Sequence, residues 1–332
     1  MTLSRPNIYE DQQQPWRLSV APMLDVTDRH CRYFHRLLAP NALLYTEMVT
    51  TGALIYGDVD RHLQFNAAES PVALQLGGSE PLALAHCAKL GERYHYQEIN
   101  LNCGCPSERV QKGAFGACLM AEASLVADCI KAMQDAVSLP VTVKHRLGLD
   151  DNESYSFVSD FVGALYDVGC RVFIAHARNA VLKGLSPKDN RQIPPLRYEV
   201  VAQLKRDFPE ARFILNGGLS TPEQMWAQAQ LHDGIMVGRA AWHEPYMLGQ
   251  IHERLWPDMT RLSLAEVVDT MTHYAAQQVA QGVPLRVIVK PMLGLFNGCK
   301  GAKQWRRHLS DPQALQAQQI NILPQAFRCV QM

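Results

Sequence analysis

Short apolar runs recur along the first three quarters of the chain, and longer amphipathic segments separate them. The apolar runs predict eight strands, at residues 18–22, 43–46, 72–76, 98–101, 141–144, 172–175, 213–215 and 235–237. Segments with helical spacing of apolar residues lie between them, for example at 121–136, 155–168, 197–207 and 222–230. Eight β/α alternations in about 240 residues predict an α/β fold of the TIM (β/α)8 barrel type.

The strand signals stop near Pro245, and residues 262–279 and 312–320 then predict helices. The second of these helices starts with a proline, which the first turn of a helix tolerates. We therefore predict a barrel domain over residues 1–250 and a small α-helical C-terminal domain over 251–332. A doubly wound sheet is the alternative, but no Gly-x-Gly-x-x-Gly motif follows the first strand, which weakens it.

Composition narrows the class of protein. The chain has 332 residues, of which 47% are hydrophobic and 19% charged, so a folded core is expected. No apolar stretch approaches membrane-spanning length, and the N-terminus lacks the apolar centre of a signal peptide. Nine cysteines without paired spacing predict reduced thiols in a cytoplasmic protein. Cys103 and Cys105 have no second pair or histidine at zinc-ligand spacing, so no metal site is expected.

The formal net charge is zero, with 32 basic and 32 acidic residues, but the charges are unevenly distributed. From Pro257 onward the chain carries eight basic and four acidic residues. Between Arg286 and Arg307 six residues are basic and none is acidic. This asymmetry predicts a C-terminal region that binds a polyanion. An ordinary solvated face is the alternative.

Polar and glycine residues stand where the predicted strands end, which is where TIM barrels place their active sites. In strand order they are Pro22, Met23, Leu24, Gln75, Asn102, Cys105, Lys144, His176, Arg178, Asn216, Gly217, Gly218, Gly238 and Arg239. The Gly-Gly and Gly-Arg pairs follow strands seven and eight, the positions at which barrels bind a phosphate through backbone N–H groups. These strand ends therefore predict a site for a phosphorylated ligand.

Cys105 sits in a Gly-Cys-Pro turn at a strand end, so we expect it to be catalytic rather than packed in the core. Burial as a small apolar residue is the alternative, and we favour it for Cys87, Cys129 and Cys170. Asn102 lies three residues before Cys105 and can reach a ligand at the same strand end.

Lys144 lies within an apolar strand, where an ammonium group needs an anionic partner. A lysine that extends to the rim is the alternative; a cation beside the electron-rich edge of a reduced flavin is the functional interpretation. His176 and Arg178 can share a cofactor phosphate or ring edge. Together the strand ends predict a phosphorylated planar cofactor with the Cys105 thiol near its reactive face.

Several motifs resemble one known family, the tRNA-dihydrouridine synthases, and in particular its A subfamily. The most specific is the composite over residues 100–120, which begins Asn-Leu-Asn-Cys-Gly-Cys-Pro-Ser. The others lie at residues 21–28, 74–78, 143–148, 176–180, 183–191, 216–218, 236–239 and 293–298. The resemblance covers residues from about 18 to about 310.

The resemblance implies an FMN enzyme that uses NADPH to reduce the 5,6 double bond of uridines in tRNA, at positions 20 and 20a of the D-loop. It implies that these residues hold the flavin: Pro22, Met23, Leu24, Gln75, Lys144, His176, Asn216, Gly217, Gly218, Gly238 and Arg239. It further implies that Cys105 donates the proton and that Asn102 contacts the base. A thiol, with a reference pKa of about 8.5, suits this role, since C5 needs an acid while C6 receives hydride.

Reduction of a stacked uridine requires the base to leave its stack, and this in turn requires a firm hold on the RNA backbone. Two basic stretches can provide it. The loop after strand six carries Lys183, Lys188 and Arg191; in the stretch 301–307, Gln304 and Arg307 are one helical turn apart. We expect Trp305, between them, to belong to the core.

Two other functions remain open. A flavin barrel acting on a free small pyrimidine or a conjugated carbonyl compound would leave the basic C-terminal region without a role. An RNA-binding barrel without chemistry would have no use for Gln75, Cys105, Lys144, His176 and Asn216 together. We expect tRNA as partner and no membrane association, and a monomer is compatible with the sequence.

Overall fold

The computed structural model describes residues 15–107 and 113–331. Within these residues, nine parallel strands form one sheet. They are β1 (Leu18–Val20), β2 (Leu43–Tyr45), β3 (Val49–Thr50), β4 (Val72–Gly77), β5 (Glu98–Cys103), β6 (Val141–His145), β7 (Val172–His176), β8 (Arg212–Asn216) and β9 (Gly234–Val237). The sheet runs β2-β1-β9-β8-β7-β6-β5-β4, and pairing of β2 with β4 closes it into a barrel. The predicted TIM barrel is confirmed, with each predicted strand present.

Helices follow the strands around the barrel. They are α1 (Arg29–Leu38), α2 (Thr51–Tyr56), α3 (Val59–Leu63), α4 (Pro81–Arg93), α5 (Ala123–Ala136), α6 (Tyr155–Asp167), α7 (Tyr198–Asp207), α8 (Pro222–Ala229), α9 (Arg239–His243) and α10 (Tyr246–Leu255). The C-terminal helices are α11 (Leu264–Ala280), α12 (Leu285–Val289), α13 (Ala302–Leu309), α14 (Pro312–Gln316) and α15 (Ile322–Arg328). No helix in the described ranges is long and apolar enough to cross a membrane.

The strand-two segment is split by a bulge that the sequence pattern does not reveal. Leu44 of β2 pairs with Val72 of β4, whereas Val49 of β3 pairs with Leu76, so the segment 44–49 has one residue more than its partner. At the bulge, Thr46 Oγ1 accepts the backbone N–H of Gln75 at 3.1 Å. The bulge therefore helps to fix the end of β4, where a predicted site residue stands.

Alternation along each strand separates two kinds of residue. In β5, Ile99, Leu101 and Cys103 belong to the large apolar core between the barrel and its helices. Glu98, Asn100 and Asn102 alternate with them and are joined to other strands by side-chain hydrogen bonds across the barrel interior. On the opposite side, a small apolar cluster fills the interior with Val172, Ile174, Ile214 and Met236 among its members. The barrel interior is thus polar beside β4–β6 and apolar beside β7–β9.

The helical C-terminal region packs on the first helix of the barrel. Tyr274 of α11 stacks on Tyr33 of α1 with ring centroids 3.9 Å apart, and its hydroxyl is hydrogen-bonded to His30 Nδ1 at 2.8 Å. Helix α11 begins at a capping box formed by Ser263 and Glu266. The predicted C-terminal helices are present, although the helix expected over 312–320 ends at Gln316.

The predicted domain boundary between residues 250 and 251 falls inside α10. This helix follows β9 and packs against α8 and α1, as the last helix of a (β/α)8 barrel does. The division into domains 1–250 and 251–332 stays a prediction.

Gly294 allows the C-terminal region to approach the barrel closely. A Cβ at this position would lie 2.1 Å from the backbone oxygen of His243 in α9, and Asn297 Nδ2 donates to the same oxygen at 2.7 Å. We expect Gly294→Ala to lower the free energy of unfolding by about 1–3 kcal/mol, because the backbones must separate. Urea unfolding followed by circular dichroism measures this change.

Gly52→Ala is the matched control, since no heavy atom lies within 4 Å of a Cβ built there. We expect the free energy of unfolding of this variant to stay within about 0.5 kcal/mol of the wild type. Equal stability of Gly294→Ala and the wild type would show that the contact with α9 is not tight.

Candidate active site

A cavity of about 810 Å³ opens at the C-terminal ends of the barrel strands. Its lining includes Asn102, Cys105 and Arg191, together with every residue predicted to hold the cofactor except Arg178. Those cofactor residues are Pro22, Met23, Leu24, Gln75, Lys144, His176, Asn216, Gly217, Gly218, Gly238 and Arg239. Residues as far apart in the chain as Pro22 and Arg239 thus meet around one space, because parallel strands of a barrel end at the same edge.

The loop after β5 holds Cys105 at the cavity wall. Asn102 Oδ1 accepts the backbone N–H groups of Gly104 at 3.1 Å and Cys105 at 3.0 Å, which is a local side-chain turn. The Cys105 carbonyl accepts the N–H of Ala117 at 2.9 Å, and its half-buried thiol lies 3.6 Å from Ser107 Oγ. Residues 108–112 of the 100–120 motif lie outside the described residues.

The three cysteines expected in the core are buried there, in contrast to Cys105. Burial raises the pKa of Cys87 to about 11 and the pKa values of Cys129 and Cys170 to about 12. These thiols are therefore neither accessible nor acidic, and their expected place in the core is confirmed.

Positive charge predominates in the cavity. The lining contains four cations, Lys144, Arg146, Arg191 and Arg239, and its one carboxylate among the described residues is that of Glu244. Burial and, next, repulsion from Arg146 lower the pKa of Lys144 to about 7. The cavity is therefore electrostatically suited to an anionic ligand.

His176 is held in its neutral form. Burial is the main cause that takes its pKa well below the usual range, and the nearby Arg146 and Lys144 add to it. A neutral imidazole can either donate or accept one hydrogen bond at a ligand. The residue thus contributes a polar edge rather than a charge.

Arg146 is a site residue that the sequence left without a role. It is 2% exposed, and its guanidinium donates to the carbonyls of Gly104 at 3.1 Å, Asn179 at 3.1 Å and Asn190 at 2.9 Å. It therefore ties the Cys105 loop to the segment after β7 and to the loop at 183–191. Its place two residues after Lys144, at the strand end, was the one available signal.

The turns after β8 and β9 form a cradle of small residues. Gly217 and Gly218 have φ angles of +107° and +70°, a region that favours glycine, and a Cβ on Gly217 would lie 2.8 Å from His176 Cδ2. A Cβ on Gly238 would approach only Ala21 Cβ, at 3.9 Å, and would otherwise occupy the open cavity. Helix α9 begins at Arg239, so backbone N–H groups accompany its guanidinium here.

This donor set fits a phosphorylated flavin. Glycine turns and Arg239 suit a phosphate, while the neighbouring amides and cations suit the polar edge of a ring. Asn216 Nδ2 donates to the Met236 carbonyl at 2.8 Å and so fixes the two strand ends beside the glycines. No group of His, Cys, Asp and Glu in the described residues could hold a metal ion.

Arg178, expected beside the cofactor, does not line the cavity. Its backbone N–H donates to the His176 carbonyl at 2.6 Å, a tight turn at the end of β7. Its guanidinium donates to the carbonyls of Pro194 and, at 3.2 Å, Gln192. Arg178 therefore holds the following loop, and the structure gives no contact that supports its predicted role.

The residues predicted to contact RNA fall into two places. Lys183 and Lys188 are exposed on the loop after β7, and Arg191 at the end of that loop reaches the cavity. Gln304 and Arg307 are exposed on α13 and do not line the cavity. Trp305 is fully buried, with its indole N–H donating to the Met292 carbonyl at 2.9 Å, as expected.

Comparison with known proteins identifies the family of the chain. The family model described as dihydrouridine synthase (Dus) matches residues 19–331. The tRNA-dihydrouridine(20/20a) synthase of Pasteurella multocida (strain Pm70) is 56% identical over 312 residues, 94% of either chain. The protein of the same name from Escherichia coli (strain K12) is 54% identical over 316 residues, 95% of this chain and 91% of its own.

Two solved structures share the barrel fold at low sequence identity. A 2-naphthoyl-CoA reductase in complex with 2-naphthoyl-CoA has a TM-score of 0.56 and 10% identity over 72% of this chain and 50% of its own. An old yellow enzyme homologue from Zymomonas mobilis has a TM-score of 0.52 and 12% identity over 76% of this chain and 91% of its own. By its family model and its curated relatives, the chain belongs to the dihydrouridine synthase family and is a flavin-dependent oxidoreductase.

Proposed function

We propose that this enzyme reduces uridines 20 and 20a in the D-loop of tRNA to dihydrouridine, with FMN as cofactor and NADPH as reductant. The main observation in support of this function is that one cavity contains both the Cys105 thiol and the cradle formed by Gly217, Gly218, Gly238 and Arg239. Relatives more than 50% identical over most of the chain bear the name of this activity. We further propose that the enzyme acts in the cytoplasm and as a monomer. All nine cysteines are free, as expected of a reducing compartment.

The cofactor would lie with its phosphate on the glycine cradle and Arg239. The chain around Met23 would face the flat ring, and these residues would contact its polar edge: Gln75, Lys144, His176 and Asn216. When bound, FMN supplies the hydride, and the protein supplies orientation and electrostatics. Positive charge at Lys144 and Arg146 would favour negative charge on the cofactor.

Cys105 would act as the acid. Uridine gains a hydride at C6 and a proton at C5, so the thiol loses one proton per turnover and regains it from solvent. A protonated thiol can supply that proton as a general acid. Asn102, whose amide lies beside the Cys105 backbone, would contact the base.

The basic loop and α13 would hold the RNA while the target base enters the cavity. We expect four phosphate contacts, made by Lys183, Lys188, Arg191 and Arg307. Because each contact releases counterions, raising the salt concentration from about 50 to about 200 mM should weaken tRNA affinity about 50-fold. Fluorescence anisotropy with unmodified tRNA measures the slope of the logarithm of tRNA affinity against the logarithm of salt concentration. Arg307→Gln should reduce the slope by about one unit.

Lys131→Gln is the matched control for these titrations. Lys131 is exposed on α5, where it forms an ion pair with Asp135, and belongs to neither basic stretch. Its substitution should give the same salt dependence of tRNA affinity as the wild type. Affinity that is independent of salt would contradict the assignment of both stretches.

NADPH-dependent formation of dihydrouridine in unmodified tRNA, mapped by position, tests the function itself. Product confined to positions 20 and 20a would support the proposal. Comparable activity on free uridine, or NADPH oxidation without any change in tRNA, would favour a small-molecule reductase instead. A protein that purifies without bound flavin and cannot be loaded with it would favour an RNA-binding barrel without chemistry.

A further inference from the structure

Glu98 is a buried carboxylate that does not line the cavity. It is 1% exposed at the start of β5, about 13 Å along the strand from Asn102. Its Oε1 accepts the hydroxyls of Tyr45 and Thr142, each at 2.6 Å, and its Oε2 accepts the indole N–H of Trp16 at 2.5 Å. All three partners are donors, so the site is built for a group that only accepts hydrogen bonds.

A chain of hydrogen bonds runs from the cavity to this carboxylate. Asn102 Nδ2 donates to Gln75 Oε1 at 2.9 Å, and Gln75 Nε2 donates to Asn100 Oδ1 at 2.8 Å. Asn100 Nδ2 then donates to Thr142 Oγ1 at 2.7 Å, and Thr142 donates to Glu98. We call these four residues, Asn102, Gln75, Asn100 and Thr142, the amide chain. Every bond in it has its donor on the side of the cavity.

The direction of the amide chain determines what Asn102 presents at its other end. Because Nδ2 is used by Gln75, Oδ1 faces the backbone N–H groups of Gly104 and Cys105 and accepts both. If Thr142 lost its acceptor and turned its hydroxyl toward Asn100, each amide would have to reverse in turn. Asn102 Nδ2 would then face two N–H donors, and the loop would lose both hydrogen bonds.

We propose that Glu98 is a positioning residue for Cys105, which it controls from the far end of the barrel by fixing the direction of the amide chain. The effect on Cys105 follows from hydrogen-bond geometry alone. Its consequence for uridine reduction rests on the proposed function. Gln75, predicted to contact the cofactor, lies within the same chain, so the acceptor and donor that it offers would be set by Glu98 as well.

The composition of the barrel interior supports a role beyond filling space. Beside β7–β9 the interior is filled by Val172, Ile174, Ile214 and Met236, which need no partners. A buried carboxylate is costly to desolvate, and burial raises the pKa of Glu98 to about 7 against the effect of its three donors. At pH 8.5 the group is ionised, and this pH is used for the experiment.

The experiment compares four variants by hydrogen exchange of the peptide that covers residues 98–107. Glu98→Gln adds a donor where only acceptors fit. Thr142→Val breaks the amide chain while it keeps the Glu98 side chain, although it removes one of the three donors to that carboxylate. Tyr45→Phe is the matched control, because it removes an equally short hydrogen bond to Glu98 that is not part of the chain. Thr142→Ser keeps the hydroxyl.

We expect the Gly104 and Cys105 amides to exchange at least about tenfold faster in Glu98→Gln and Thr142→Val. In Tyr45→Phe they should exchange as in the wild type, and Thr142→Ser should recover most of the protection. Exchange in β7 and β8 reports general loosening and should not change. Unchanged protection in Thr142→Val would overturn the proposal. This result stands even if Glu98→Gln fails to fold.

The second arm measures single-turnover reduction of tRNA by the NADPH-reduced enzyme. We expect about a tenfold lower rate in Glu98→Gln and Thr142→Val, with tRNA affinity within about twofold of the wild type. The double variant Glu98→Gln/Thr142→Val should be no slower than either single variant, since both substitutions break the same amide chain. Multiplying effects would overturn the proposal. A wild type that does not reduce tRNA would refute the proposed function, while the exchange arm would still decide the role of Glu98.

Discussion

Replacement of Cys105 by alanine is expected to lower the rate of dihydrouridine formation by about 10²–10⁴-fold, the range typical for loss of a general acid. The thiol lines the cavity at the end of β5, and none of its hydrogen bonds involves a residue of the glycine cradle. Flavin binding should therefore be unchanged. Single-turnover kinetics with tRNA measure the rate, and the visible spectrum of the purified variant measures the flavin content.

Two further variants separate acidity from shape. Cys105→Ser keeps the size of the side chain but offers a hydroxyl, a far weaker acid, and should be almost as slow as alanine. Cys118→Ala removes a half-buried thiol that donates to the Phe115 carbonyl and does not line the cavity, and it should keep the rate of the wild type. If Cys105→Ala reduced tRNA at the rate of the wild type, another group would be the acid.

Lys144→Met is expected to weaken FMN binding and to remove its dependence on pH. Burial lowers the pKa of Lys144 to about 7 in the ligand-free protein, and hydrogen-bond acceptors at the ring edge of bound FMN would raise that pKa by favouring the ammonium form. Binding above pH 7 then takes up a proton, so FMN affinity of the wild type should fall by as much as about tenfold per pH unit between pH 7 and 9. Below pH 7 the lysine is already charged, and the dependence ends.

Quenching of flavin fluorescence at pH 7, 8 and 9 measures this affinity. Lys131→Met, in the exposed ion pair with Asp135, should show the same slope as the wild type. Equal FMN affinity of the wild type at pH 7 and 9 would show that bound FMN does not favour the charged form of Lys144.

The same pKa has a consequence for stability. The lysine pKa is lower in the folded protein than its value of about 10.4 in the unfolded chain, so the unfolded state binds more protons between these values. The contribution of Lys144 to the free energy of unfolding of the ligand-free protein should therefore rise with pH from about 7 to about 10. Lys144→Met should lack this rise.

The strand ends were predictable because two local rules agree on them. Alternation and β/α spacing locate the strands, and parallel strands of a barrel end at one edge, so Gln75, Lys144, His176 and Asn216 could be placed in one site before any contact was known. The last barrel helix was harder to assign, since α10 follows the final strand where the strand signals have already stopped. Nothing in its sequence separates it from the helices beyond.

Other parts of the site depend on contacts that no local pattern carries. Arg146 binds one carbonyl of the loop after β5 and two carbonyls of the long loop after β7, and a guanidinium among carbonyls leaves no trace in spacing or periodicity. Arg178 was placed in the site as a neighbour of His176. After the tight turn between them, however, the Arg178 guanidinium binds loop carbonyls, whereas His176 lines the cavity. The amide chain joins β4, β5 and β6, and only strand register brings its members together.

The close approach of Gly294 and Asn297 to the His243 carbonyl also matters for exchanging parts between relatives. His243 and Glu244 line the cavity, so the C-terminal region rests directly on a piece of the cavity wall. A chimaera that receives its C-terminal region from another synthase would also receive a different residue set on α13, the helix proposed to hold RNA. It would keep the shape of the catalytic pocket only if a glycine and a side-chain amide arrived at these two positions. The C-terminal region and the wall of the cavity are thus coupled through a single backbone oxygen, that of His243.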